Sequence, residues 1–242
     1  MMRRPLFTLL LLVFTGAHAH VQLSEPILKT AIDDVQRLQK GVDNNDDKKV
    51  TAATHFEIAS IATEIVALMN ADVVAHNTTQ DELLSESVRR VNAIGLGIAW
   101  SDEHKRYFYD GAGYQEYLRL LPDGIRAADS LFHILERSYY LYDNVDTVAL
   151  ETRAAEKFGF LRRFPDYGEA AKIRIFLSID YRDLSRFCRE RREKQCETKF
   201  SELAREQLQM IIDDSPDGPH AAVAVGLLNR FEQEIAHSLQ EY

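Results

Sequence analysis

Asp129, His133 and Glu136 stand at positions i, i+4 and i+7 of one stretch, so on an α-helix they share a face. Carboxylates and an imidazole gathered this way can ligate a metal. Glu234 and His237 add a Glu-x-x-His pair. Di-iron bundles use two such pairs and two further carboxylates, and this chain has one clear copy. Solvated or locally paired side chains produce the same spacing. His20 offers different chemistry. A cut after Ala19 would leave its terminal amine beside its imidazole, a chelating pair for copper. Such a site needs another histidine and is usually built on a β-rich scaffold. Metal or small-ligand binding through His20, Asp129, His133 and Glu136 is therefore the alternative reading, and no cofactor is assigned.

Nucleophilic catalysis has little to work with. The sequence has no G-x-S-x-G elbow. Gly95-Leu96-Gly97 lacks the third glycine and the preceding strand of a dinucleotide site. No catalytic residues are assigned, and the expectation is a protein that is not an enzyme. The two cysteines, Cys188 and Cys196, are better placed to pair than to attack. On one unbroken helix they would lie about 12 Å apart along the axis, whereas a disulfide needs Cα atoms within about 7 Å. Pairing therefore requires a turn near Glu190 to Gln195 and would staple two adjacent helices. Separate thiols are the other reading, and two thiolates fall short of the four ligands of a structural zinc. Tyr107 and Tyr109, with Tyr139, Tyr140 and Tyr142, are candidate partner-binding residues. Tyrosine buries a large area at low entropic cost, although tyrosines also pack helices.

Arg3 and Arg4, the apolar run Leu6 to Phe14 and Ala17-His18-Ala19 read as the head, core and cleavage site of a signal peptide over residues 1–19. The expected location is exported, periplasmic or secreted, and no cysteine near the cut invites lipid attachment. No later run is expected to reach the roughly 20 apolar residues of a membrane helix, so no integral membrane segment is expected in the mature chain. The 242 residues carry a net charge of −9, and an acidic chain gains little from polyanions, whose binding rests on lysine and arginine. Nucleic acid is not expected as a partner. The basic run Arg186 to Lys194 is diluted by Glu190 and Glu193 and reads as a solvated helix end.

The elements that must position these residues are helical almost throughout. Leu28, Ile32, Val35 and Leu38 follow a 3–4 rhythm, as do Ile58, Ile61, Ala62, Ile65, Leu68 and Met69. Thr79 with Glu82 forms a capping box. Residues 98–113 read as a loop. Beyond it come a short helix from Tyr114 to Leu121, a partner from Ile125, and a helix with inner face Leu150, Ala154, Phe158 and Leu161. Three more stripes follow. Almost no sheet is expected, and residues 20–100 read as an N-terminal helical region ahead of repeats over 101–242.

A motif recurs at the joints. Pro122-Asp123, Pro165-Asp166 and Pro216-Asp217 each precede two alanines at the same offset, Ala127-Ala128, Ala170-Ala171 and Ala221-Ala222. Proline ends one helix, aspartate near the next helix start can accept free N–H groups, and alanine permits close packing. Tandem helix-turn-helix units with PDxxxAA at the inner turn resemble tetratricopeptide repeats, most closely the divergent long-helix versions of bacterial envelope proteins. The resemblance covers about Tyr114 to Tyr242. The copies are spaced more widely than the usual 34 or so residues, and Gly159 has no glycine match at Met210. It implies an all-α fold of TPR-like pairs in an α-solenoid, whose concave face holds another protein or peptide, and it brings no catalytic set.

Overall fold

The computed structural model describes residues 23–43, 45–76, 82–140 and 146–240. The apolar rhythm becomes α1 (Glu25–Asp43), α2 (Lys48–His76), α3 (Glu82–Ala93), α4 (Ala112–Leu120), α5 (Ala127–Tyr140), α6 (Thr147–Arg163), α7 (Ala170–Glu190), α8 (Lys194–Asp214) and α9 (Ala221–Gln240). The class is all-α: among the described residues the other regular element is one two-stranded hairpin, β1 (Ile98–Ser101) and β2 (Arg106–Tyr109). Thr79, proposed to cap α3, lies outside the described residues.

The hairpin corrects the expectation of a loop over 98–113. Its strands pair antiparallel, with Ile98 opposite Tyr109 and Ser101 opposite Arg106. Four residues give two alternations at most, too few to stand out from a helical background. What holds the strands is not local in sequence. The Asn70 carboxamide on α2 donates to the Tyr107 carbonyl at 2.9 Å and accepts the Tyr107 N–H at 2.7 Å. Asn92 does the same for Ile98, both bonds at 2.8 Å. Each amide stands in for a missing neighbour strand, so Tyr107 on one outer edge and Ile98 on the other are satisfied. Asp110 N–H closes the hairpin base on the Gly97 carbonyl at 2.7 Å. A Cβ at Gly97 would run into the Asp110 carboxylate.

The three Pro-Asp joints adopt one geometry. Leu121, Phe164 and Ser215 end their helices with φ/ψ of −136/72, −131/62 and −153/77. Their N–H groups bond four residues back, to Tyr117, Phe160 and Ile211. Three residues on, the N–H groups of Gly124, Tyr167 and Gly218 return to the carbonyls of Leu121, Phe164 and Ser215. Three further on, Ala127, Ala170 and Ala221 bond to Gly124, Tyr167 and Gly218. The first alanine of each pair is buried and the second is not. At the second joint the aspartate does not cap: the residue before α7 is Glu169, and no side chain caps the helix. At the first, Asp123 accepts from Arg163 Nη2 at 2.6 Å, and the same guanidinium reaches the Pro122 carbonyl at 2.8 Å. The end of α6 is thereby tied to the previous joint.

Buried side chains gather in clusters. One joins Leu28 and Val35 of α1, the α2 stripe from Ile58 to Met69, Val91, the hairpin and Tyr114. Another runs through α5 to α9. Ala52, Tyr117 and Ala127 form a small third. Consecutive helices from α4 to α9 pack on one another, and α5 also reaches α7. By length and composition α2 is apolar enough to cross a membrane, a helix that the expectation of no such later run did not anticipate. It packs against α1, α4 and β2 and buries Ala59, Ala62, Ile65 and Met69, as the core helix of a packed domain does. A second correction falls on α6. Phe158, expected inside, is 45% exposed, while Lys157, one residue earlier, is fully buried.

Candidate functional site

Lys157 is inside because its charge is answered there. Its Nζ donates to Asp180 Oδ2 at 2.6 Å, and Arg153 Nη2 donates to Asp180 Oδ1 at 2.6 Å. Asp180 of α7 is fully buried, and Arg153 lies one turn before Lys157 on α6. Burial pulls the Lys157 pKa below its ordinary value, and the Asp180 charge opposes the pull. Arg153 and Lys157 share the Asp180 carboxylate in the core, which ties α6 to α7. Sequence reasoning missed this triad. The signal was present: Arg153 and Lys157 continue the Leu150–Ala154–Leu161 stripe, and Asp180 sits in the Ile173–Phe176–Leu177–Leu184 stripe.

Asp129, His133 and Glu136 share the α5 face but not a purpose. Asp129 Oδ1 accepts the Tyr167 hydroxyl at 3.0 Å, and its Oδ2 accepts from Arg126 at 3.1 Å. The His133 ring stacks on Tyr114 with centroids 4.6 Å apart. Glu136 Oε1 accepts from Lys172 Nζ at 2.5 Å, while His133 Nδ1 stands 3.7 Å from Oε2, longer than a hydrogen bond. Burial pushes the Glu136 pKa up, but His133 and Lys172 outweigh it and hold the carboxyl at about 2. Their ligating atoms do not converge: among the described residues, only Cys188, Glu193 and Cys196 bring three such atoms within 4.8 Å. His20 lies outside the described residues.

The tyrosines divide. Tyr107 and Tyr109 are buried in the core around α2, which removes them as exposed contact residues. The inward phase of β2 puts them there. Tyr139 stacks on Phe176 at 4.5 Å against the α5–α9 core. Tyr140 ends α5, and its side chain lies outside the described residues, as does all of Tyr142. Cys188 and Cys196 stand at disulfide distance, with Cα atoms 5.6 Å apart. The chain turns at Arg191 to Glu193 between α7 and α8, with Arg192 at φ 61°.

An open groove of about 880 Å³ lies beside the first Pro-Asp joint. Ala53 and Phe56 of α2 line one side, Tyr117, Leu120 and Leu121 the other, and the joint closes one end. Phe56 meets Tyr117 edge to face at 5.7 Å. The Arg126 guanidinium lies 5.3 Å from the Phe56 ring centre. The Tyr117 hydroxyl accepts the Arg126 N–H at 2.9 Å, and a Cβ at Gly124 would strike that hydroxyl. Ile125, expected to open α5, instead stands in the joint, 96% exposed at the rim. An isoleucine between Gly124 and Arg126, after a Pro-Asp pair, was the available signal. No family model matches the chain, and no match to a curated protein emerged.

Proposed function

We propose that this chain is an exported, non-enzymatic scaffold built from TPR-like helix pairs in a solenoid. It binds a protein or peptide partner from the cell envelope or the secreted pool. The observation that carries the reading is the apolar groove between α2 and α4 with Ile125 exposed on its rim. Burying such a side chain is worth about 1.5–3 kcal/mol, and a partner that presents apolar side chains obtains that gain at no cost to the fold. The leader-like first residues and the cysteines at disulfide distance support export, because such a bridge persists in oxidising compartments. The three matching joints support the repeat reading, and Arg163 links the first to the second.

The test places a photocrosslinking residue at position 125 and, separately, at Val148, which is exposed on α6. Each protein is then irradiated in extract from its own envelope fraction. One dominant partner captured from position 125 alone, with affinity reduced by about tenfold or more in Ile125→Ser at unchanged melting temperature, supports the reading. Equal capture at both positions, or none, rejects it.

A further inference from the structure

A second, smaller cavity, of about 190 Å³, lies between α2, β2, the start of α4 and α5. Pockets for drug-sized molecules run from about 300 Å³ upward, so this one admits only a small molecule. Its walls are rich in donors. Arg106 of β2 and Arg137 of α5 both line it. The Arg137 Nε–H is buried and meets no acceptor in the structure, a state that native proteins resolve with a water, an ion or a ligand. The Tyr109 hydroxyl accepts the Gly113 N–H at 2.7 Å, which leaves its own proton to donate. Burial pushes that phenol up to about 12 and keeps it protonated at neutral pH. Tyr114, also lining the cavity, shares its hydroxyl with Thr63 at 3.0 Å.

Acceptors are already engaged. Glu136, the carboxylate on the wall, is held by Lys172 on one oxygen and faces His133 with the other. Asp110, at the hairpin base, accepts the Ala112 N–H at 2.9 Å. The Arg137 guanidinium with its buried Nε–H, a phenol proton and an imidazole line a small space, with Arg106 also on its wall, in a chain whose net charge is −9. Guanidinium matches the planar, two-oxygen edge of a carboxylate or phosphate and donates to it in pairs.

We propose that this cavity is a binding site for one small oxyanion, a carboxylate or a phosphate, held chiefly by Arg137 with Tyr109. The site is separate from the groove beside the first joint and does not depend on partner binding there.

The test is calorimetric titration of the full chain with inorganic phosphate and, in a second arm, with succinate, at constant ionic strength. The proteins are wild type, Arg137→Gln, Arg137→Lys and the exposed control Arg230→Gln. Saturable binding of one equivalent in either arm is expected, and the stronger arm identifies the ligand chemistry. Arg137→Gln is expected to weaken binding by about tenfold or more. Arg137→Lys keeps the charge but loses the fork, so it falls between. Arg230→Gln is expected to bind as wild type does. No saturable binding of either ion to wild type at millimolar concentration would overturn the proposal and leave the cavity to water. Unchanged binding by folded Arg137→Gln would overturn it as well. The wild-type titration decides the first point even if a variant fails to fold.

Discussion

Asp180→Asn removes the carboxylate that Arg153 and Lys157 both bind, and the structure bounds what that should cost. Both contacts are 2.6 Å long, and charge-assisted hydrogen bonds contribute about 1.5–3 kcal/mol each. Asparagine keeps one acceptor oxygen but turns an N–H group toward the other cation, so the loss should be about 3–5 kcal/mol, the range typical of breaking a buried pair by removing one partner. Against a total stability of roughly 5–15 kcal/mol, that is enough to bring the chain near its unfolding midpoint. The cost comes chiefly from Lys157 left charged in the core, more than from the lost bonds, while Arg153 keeps the charge of Asp183 nearby. The triple change Arg153→Leu, Lys157→Met, Asp180→Leu should therefore restore stability to within about 1 kcal/mol of wild type or raise it. Asp123→Asn supplies the comparison, because its pair with Arg163 is largely exposed and should be worth less than about 1 kcal/mol. Urea unfolding followed by circular dichroism gives the differences from the midpoints, provided the slope is unchanged. If Asp180→Asn costs no more than Asp123→Asn, the buried-charge argument is wrong.

Acid should find Glu136. Its folded pKa of about 2 lies below the ordinary 4.5, so its contribution is complete above about pH 4.5 and is lost as pH falls towards 2. That contribution is worth about 3 kcal/mol at neutral pH. Glu136→Gln should cost about that much at pH 7 and nearly nothing at pH 2, read from urea midpoints across the range. The cysteines give a third expected outcome. A bridge closing a loop of about nine residues contributes about 2.5 kcal/mol on chain-entropy grounds. Reduction, or the double change Cys188→Ser and Cys196→Ser, should lower the melting temperature by about 5–10 °C. A full count of free thiols in the unreduced, denatured chain would show that no bridge had formed.

The helices were legible because their signal is local and repeated. Leu28 and Val35, or Ile65 and Met69, report the same face again and again, and each Pro-Asp joint marks its own place. The hairpin was not legible, because its edges are closed by Asn70 and Asn92, residues on helices that a strand pattern never includes. The α6 face was misread by one residue. An apolar Phe158 was preferred to Lys157, and only the position of Asp180 on another helix makes a buried lysine tolerable. The candidate site suffered from the same limit. Tyr107 and Tyr109 are what a recognition surface uses, yet their side of β2 faces the core. Ile125 lay in a turn where apolar periodicity carries no information. Arg106 and Arg137 come together only because β2 and α5 meet around one cavity.

The three matching joints have a kinetic consequence. Each closes through hydrogen bonds confined to about ten residues of chain, and each helix from α4 onward meets its sequence neighbours first. Little loop entropy has to be lost before a contact forms, the condition under which helical chains fold in microseconds to milliseconds. The Arg153–Lys157–Asp180 triad is expected to form later, since its charges must shed water together once α6 and α7 have docked. In pulse-labelling hydrogen exchange, amides at the joints should gain protection first, and those of α6 and α7 around the triad later, as water leaves the interface.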